Sequence, residues 1–267
     1  MSILENKYYQ EESVFKAENL LREAKRQKNL PDCKVPSVCF LDPDGDILDY
    51  LLRTEKAELS KCWACYHTKL YTFTLDGMEL GIIACVVGAS FAVLIAEQLF
   101  VSGCELLISV TSSGIIKKVP ALFNYILIKE AVRDEGTSYH YLPAGKISVI
   151  NKEILITLEK TLIKKSVHIL IGKSWTTDAP YRETPTAIKN MKIADVNVVE
   201  MEAAALYAFA EAKNKKVICF AHITNSMAQN ELDFEKGLEN GSIASLQLIH
   251  LTAKSLLEET TLLAQKG

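Results

Sequence analysis

Val198-Val199-Glu200-Met201-Glu202-Ala203-Ala204-Ala205-Leu206-Tyr207-Ala208-Phe209-Ala210 is the stretch around which the chain is read. It is alanine-rich, lacks Gly and Pro, and follows the valine-rich run Val196–Val199. It therefore reads as a helix. At helical spacing Glu202 shares a face with Ala205, Leu206 and Phe209. A carboxylate on an apolar face needs donors, because an unpaired buried charge is costly. Two adjacent sugar hydroxyls would supply them. A Lys or Arg from elsewhere, or a place at the rim of the face, would serve as well.

Outward from this stretch, strands alternate with helices. Upstream, Val167–Ile171 reads as a strand that runs into a polar loop, Lys173–Pro185. Downstream, Lys216–Ile223 is a strand ending at Thr224-Asn225-Ser226, and a last helix covers Ser242–Gln265. Earlier strands are Val35–Leu41, Tyr71–Leu75, Leu80–Val87, Leu106–Thr111 and Ile147–Ile150. Asp76-Gly77 makes a tight hairpin turn between two of them. Glu11–Lys28 is an amphipathic helix, another helix runs from Gly88-Ala89-Ser90 to Gly103, and Lys152–Lys164 is a third. Pro120–Arg133 reads as helix, with Phe123–Ile128 open to a strand reading. The alternation predicts one α/β domain of three layers, α/β/α, around a central mixed and largely parallel sheet. It spans residues 35–267, with a helical extension over 1–34.

The chain has 267 residues, 49% hydrophobic and 24% charged, which suffices for one substantial core. A net charge of -3 gives no electrostatic case for nucleic acid, and no apolar run reaches membrane-spanning length. The polar, acidic N-terminus is unlike a signal peptide, so the expected location is cytoplasmic. Seven cysteines, mostly in apolar segments, read as reduced core residues. Cys62, Cys65 and His67 resemble half a zinc site without a second pair, unless Cys33 and Cys39 supply it, and no metal is expected. Asp42-Pro43-Asp44-Gly45-Asp46 lacks the remaining ligands of a calcium loop and reads as an acidic turn.

Ligands of such sheets bind outside the carboxyl ends of the strands. Small hydroxyl and amide residues cluster at four of those ends: Gly88–Ser90, Thr111–Gly114, Ser174–Asp178 and Thr224–Ser226. Ordinary turn chemistry would also place them there. With Glu202, they predict a site for a small polar ligand.

Glu200-Met201-Glu202 resembles the Glu-Met-Glu signature of the nucleoside phosphorylase superfamily, in the uridine phosphorylase and hexameric purine nucleoside phosphorylase branch. Leu41-Asp42-Pro43-Asp44 resembles its Gly-Asp-Pro-Asp loop, and Ser109–Gly114 its strand-end phosphate and ribose loop. Asp134–His140 and Ser174–Thr184 resemble its later segments, in the same order, and the likeness covers roughly Val35 to the C-terminus. The resemblance implies phosphorolysis of a nucleoside to free base and (deoxy)ribose 1-phosphate, without cofactor and with phosphate as co-substrate. It implies Glu202 and Asn225 as catalytic residues, and Met201, Glu202 and Ser112 on ribose. Ser112, Ser113 and Gly114 fall to phosphate, and Tyr181, Arg182 and Asn225 to the base. It also implies a dimer-based homo-oligomer, up to a hexamer.

The departures are specific. The family's phosphate arginines fall on Gly45, on Ser109 and near Tyr66. Guanidinium forks are not replaced by such residues. Arg53, Lys69, Lys117 and Lys118 are substitute cations, or else the anion is not phosphate. Hydrolysis, with Asp42, Asp44 or Asp46 activating water, is one alternative, and nucleoside binding without catalysis is another. Asn225 cannot act as an acid, which leaves His140 and His222 as titratable candidates or as ordinary core histidines.

Overall fold

A computed structural model describes residues 2–120, 122–165, 168–225 and 236–264. Runs of Val, Ile, Leu and Phe bounded by Gly, Asp and Ser become strands, as their shape favours a pleated, buried surface. They are β1 (Val38–Asp42), β2 (Ala57–Leu59), β3 (Tyr71–Leu75), β4 (Met78–Ala84), β5 (Leu106–Ile115), β6 (Tyr125–Asp134), β7 (Ile147–Val149), β8 (Ile169–Thr177), β9 (Val198–Glu200) and β10 (Lys216–Asn225). The helices are α1 (Ala17–Lys28), α2 (Asp46–Arg53), α3 (Ala89–Val101), α4 (Lys152–Lys164), α5 (Pro185–Ile193), α6 (Ala203–Lys213) and α7 (Ser242–Ala264).

All ten strands join one mixed sheet. β4, β1, β5 and β10 pair in parallel, as do β6, β8 and β9. The two runs meet antiparallel, β10 against β6 and β5 against β9. The path β5-β10-β6-β8-β9 thereby closes on itself. Helices α1, α3 and α6 pack together, and α2, α4 and α7 form a second group. This is the three-layer α/β/α arrangement that the alternation predicted. The turn between β3 and β4 has Asp76 at φ 48° and Gly77 at φ 80°, the two positive values that a tight hairpin requires.

Several predicted boundaries move. Val198–Glu200 is strand, because the valines pair with Ser174 and Trp175 of β8 and with Gly114 and Ile115 of β5. The helix begins only at Ala203. Glu202 thus sits at the helix entrance and not on its apolar face. Residues 125–134 are strand, not helix: the apolar run Tyr125–Ile128 fills the slot between β10 and β8. β5 continues to Ile115, and β8 to Thr177, through residues read as turn or loop. The first helix starts at Ala17 and not at Glu11. Val167, Ser226 and Gln265 lie outside the described residues.

The cysteine reading also needs correction. Cys33 and Cys62 form a disulfide. Both lie outside the apolar strands, where the α1–β1 connection passes the loop after β2. Bonding takes Cys62 out of any metal set with Cys65 and His67. Cys39, Cys65, Cys104 and Cys219 are free and buried, and Cys85 is free and exposed.

The core is tied to the site by α6. Its Tyr207 is 1% exposed. The Tyr207 hydroxyl donates to the Ile128 carbonyl at 2.6 Å and accepts the Cys219 N–H at 3.1 Å, holding α6 against β6 and β10.

Candidate functional site

A helix entrance leaves its first N–H groups without partners. In α6 the donors come to two side chains from the sheet. Glu200 Oε2 accepts the Glu202 and Ala203 N–H groups, each at 2.7 Å. Thr176 Oγ1 accepts the Ala204 N–H at 2.9 Å and donates its hydroxyl proton to Glu200 Oε1. The first glutamate of Glu-Met-Glu is therefore structural. Burial pushes its pKa up.

The second glutamate is turned the other way. Glu202 is 2% exposed, and its Oε1 accepts the Gly88 N–H at 2.7 Å. Its Oε2 accepts the Met201 N–H at 3.3 Å, and the Thr111 hydroxyl also bonds to it. Gly88 follows β4 with φ 94° and ψ 149°, a conformation only glycine adopts freely. Burial first, and the neighbouring Glu200 second, push the Glu202 pKa up to about 8. None of the groups acting on it is a cation. This is a buried carboxylate at the carboxyl ends of β4 and β5, with no ion-pair partner among the described residues.

A second polar cluster stands on the next residue of β5. Successive residues of a strand point to opposite faces, so Thr111 and Ser112 serve different sides. The Ser112 N–H donates to Asp44 Oδ2 at 3.1 Å, and the Ser112 hydroxyl donates to the same oxygen. Lys236 lies 3.5 Å from Asp44 Oδ2 and pairs with Asp46, which also accepts from the Asn240 amide at 2.9 Å. Asp42 is 1% exposed and accepts the Leu48 N–H at 2.9 Å at the start of α2. Burial, above all, raises its pKa to about 7, and Asp44 and Asp46 add to the rise. His222 stacks on Tyr125 with ring centroids 4.7 Å apart. Burial depresses its pKa to about 4, so it is neutral at pH 7.

The predicted site residues separate accordingly. Glu202, Met201 and Thr111 meet at one face of the β5 end. Ser112 is on Asp44, Ser113 donates its hydroxyl to the His222 carbonyl at 2.9 Å, and Gly114 pairs with Val199. Residues 111–114 are thus ladder residues of β5, not a tight turn presenting free N–H groups. Tyr181 is 98% exposed on a short 3-10 turn, Pro180–Arg182. Its neighbour Arg182 makes no side-chain hydrogen bond or ion pair among the described residues. The backbone of Asn225 ends β10, while its side chain lies outside the described part. His140 is held by Lys7, whose Nζ is 2.8 Å from Nδ1.

The arginine positions are rebuilt. Gly45 has φ 86°, and a Cβ there would meet Cys85 Sγ at 3.0 Å. Ser109 is 1% exposed inside the sheet. Of the substitute cations, Arg53 pairs with Glu239 and Lys117 with Asp195. Lys236 is the cation beside Asp44 and Asp46 among the described residues, and sequence reading missed it. Nothing local marks it: 190 residues separate it from Asp46. Glu200 as a helix-entrance acceptor was detectable, since its side chain precedes Ala203 by three residues.

Residues 44–257 match the family model described as "Phosphorylase superfamily". A uridine phosphorylase of Thermococcus kodakarensis is 24% identical over 234 residues, which are 79% of this chain and 84% of that protein. A guanosine phosphorylase of Halorubrum lacusprofundi is 25% identical over 145 residues, 54% of this chain and 60% of that one. Among solved structures, an AMP nucleosidase from Bacteroides thetaiotaomicron superposes with a TM-score of 0.70 at 19% identity, over 91% of this chain and 99% of that one. No helix among the described residues is long and apolar enough to cross a membrane.

Proposed function

Because the chain belongs to the phosphorylase superfamily, we propose that it cleaves the N-glycosidic bond of a nucleoside, with phosphate as nucleophile and a pentose 1-phosphate and free base as products. One observation carries the reading: Glu202, buried with no cation beside it among the described residues and held by the Gly88 and Met201 N–H groups, at the strand ends. Two ribose hydroxyls would add to the donors it already has and favour its ionised form. Glycosidic cleavage passes through an oxocarbenium-like sugar, which a carboxylate beside the hydroxyls stabilises more than the ground state. Met201 flanks the sugar, Ser112–Gly114 border the anion, and Tyr181, Arg182 and Asn225 are the base-side residues. No cofactor enters this chemistry. The active form is a homo-oligomer in the cytoplasm.

Water is the second nucleophile to consider, because Asp44 already occupies the Ser112 N–H and hydroxyl. Uridine, inosine and adenosine, each incubated with and without phosphate, decide between the two. Base release that requires phosphate supports phosphorolysis. Release independent of phosphate replaces it with hydrolysis. No release from any of the three removes the catalytic reading for these substrates and leaves nucleoside binding, which equilibrium dialysis with the same nucleosides measures.

A further inference from the structure

The donors at the end of β5 are not vacant. Asp44 Oδ2 takes two from one residue, the Ser112 N–H and the Ser112 hydroxyl, and faces Lys236 Nζ at 3.5 Å. A backbone N–H, a hydroxyl and an ammonium converging on one oxygen are the partners an anion takes. The chain fills them with its own carboxylate. We propose that Asp44 is a specificity-determining residue for the nucleophile: an internal ligand that competes with inorganic phosphate for the Ser112 donors.

Charge around the cluster points the same way. Asp44 and Asp46 bring two negative charges and Lys236 one positive charge. His222, buried against Tyr125, is neutral at pH 7, and Asp42 adds a further partly ionised carboxyl. Arg53, the nearest arginine in sequence, is tied to Glu239. Residues 226–235, next to Lys236 in sequence, contain no Lys or Arg. A phosphate dianion entering here meets a net negative field and must displace Asp44 from its hydrogen bonds. The positions that would offer a guanidinium do not: Gly45 is in a left-handed conformation and Ser109 is inside the sheet. Removing the Asp44 charge frees both Ser112 donors and takes one carboxylate away from Lys236.

The inference rests on Ser112 bordering the anion, as in the proposed function, but its test needs no turnover. Phosphate binding to the full chain is measured by calorimetry or phosphorus NMR, for the wild type, Asp44→Ala and Asp44→Asn. Asp44 lies on an exposed turn, and circular dichroism shows whether each variant is folded. The expected result is roughly tenfold or more tighter phosphate binding in Asp44→Ala, a smaller gain in Asp44→Asn, and loss of the gain in Asp44→Ala/Ser112→Ala. Unchanged or weaker phosphate binding in folded Asp44→Ala overturns the proposal, as does a gain that survives loss of the Ser112 hydroxyl together with exchange of Lys236 for Ala. A parallel base-release assay is read separately. Tighter phosphate without nucleoside cleavage refutes the proposed reaction and leaves Asp44 as competitor. Phosphate-dependent cleavage with phosphate affinity unchanged in Asp44→Ala keeps the proposed reaction and overturns the competitor role.

Discussion

Glu202 and Asp44 both approach the end of β5, Glu202 by Thr111 and Asp44 by Ser112, yet they are held in opposite ways. Glu202 is 2% exposed and fixed by main-chain N–H groups from the Gly88 turn and the α6 entrance. Asp44 is solvent-facing and held by a serine and by a lysine far along the chain. The first group is pre-organised by secondary structure and desolvated. The second is an arrangement of side chains that can be exchanged without disturbing the sheet. Chemistry that must be kept is built into the backbone, while chemistry that varies is hung from loops.

The strongest way to break this contrast is at the carboxylate itself. Glu202→Gln should lower kcat/KM for nucleoside cleavage by about 100- to 1000-fold, since a neutral amide stabilises a cationic sugar poorly. Near wild-type base release would remove Glu202 from the chemistry. Glu200→Ala should cost about 3 kcal/mol of stability by urea titration, because two buried N–H groups lose their acceptor. Asp44→Ala in the same titration should change stability by less than about 0.5 kcal/mol. Equal costs would show that the two ends are not built differently.

The pH dependence sharpens the contrast. Glu202, at about 8, and Asp42, at about 7, have folded-state values above those of the unfolded chain. Between the two values the folded protein holds protons that the unfolded chain releases, so stability falls as pH rises through this window. His222 acts in the other direction, with stability lost as pH falls from 6.5 towards about 4. Above pH 6.5 only the carboxyls act, and stability should drop by about 2 kcal/mol from pH 6.5 to 8. Glu202→Gln should remove the larger part of the drop. A flat profile in the wild type would mean that neither carboxyl is desolvated in solution. A smaller effect belongs to the turn. Gly88→Ala should cost about 1 kcal/mol, all of it conformational, since no atom lies within 4 Å of the added Cβ. A melting temperature unchanged by this substitution would refute the constraint at Gly88.

The layer architecture, the hairpin at Asp76-Gly77 and the family were all legible in the chain. Each depends on local pattern: period of hydrophobicity, turn residues, or a short ordered motif. The misread segments share a different cause. Tyr125–Asp134 looks helical in isolation and is strand because β8 and β10 leave it a slot. Val198–Glu200 is strand for the same reason, which moves Glu202 from a helix face to a helix entrance. The disulfide joins residues 29 apart, and Lys236 meets Asp46 across 190.

What the sequence determined by itself was therefore the fold class and the family, because periodicity, composition and short motifs act over a few residues and survive any arrangement of the remainder. Only the tertiary structure decided that Glu200 serves the helix while Glu202 faces the strand ends, and that Asp44 and Lys236 meet beside Ser112. Those outcomes depend on which distant strands become neighbours, and pairing energies between them are settled only when the sheet closes.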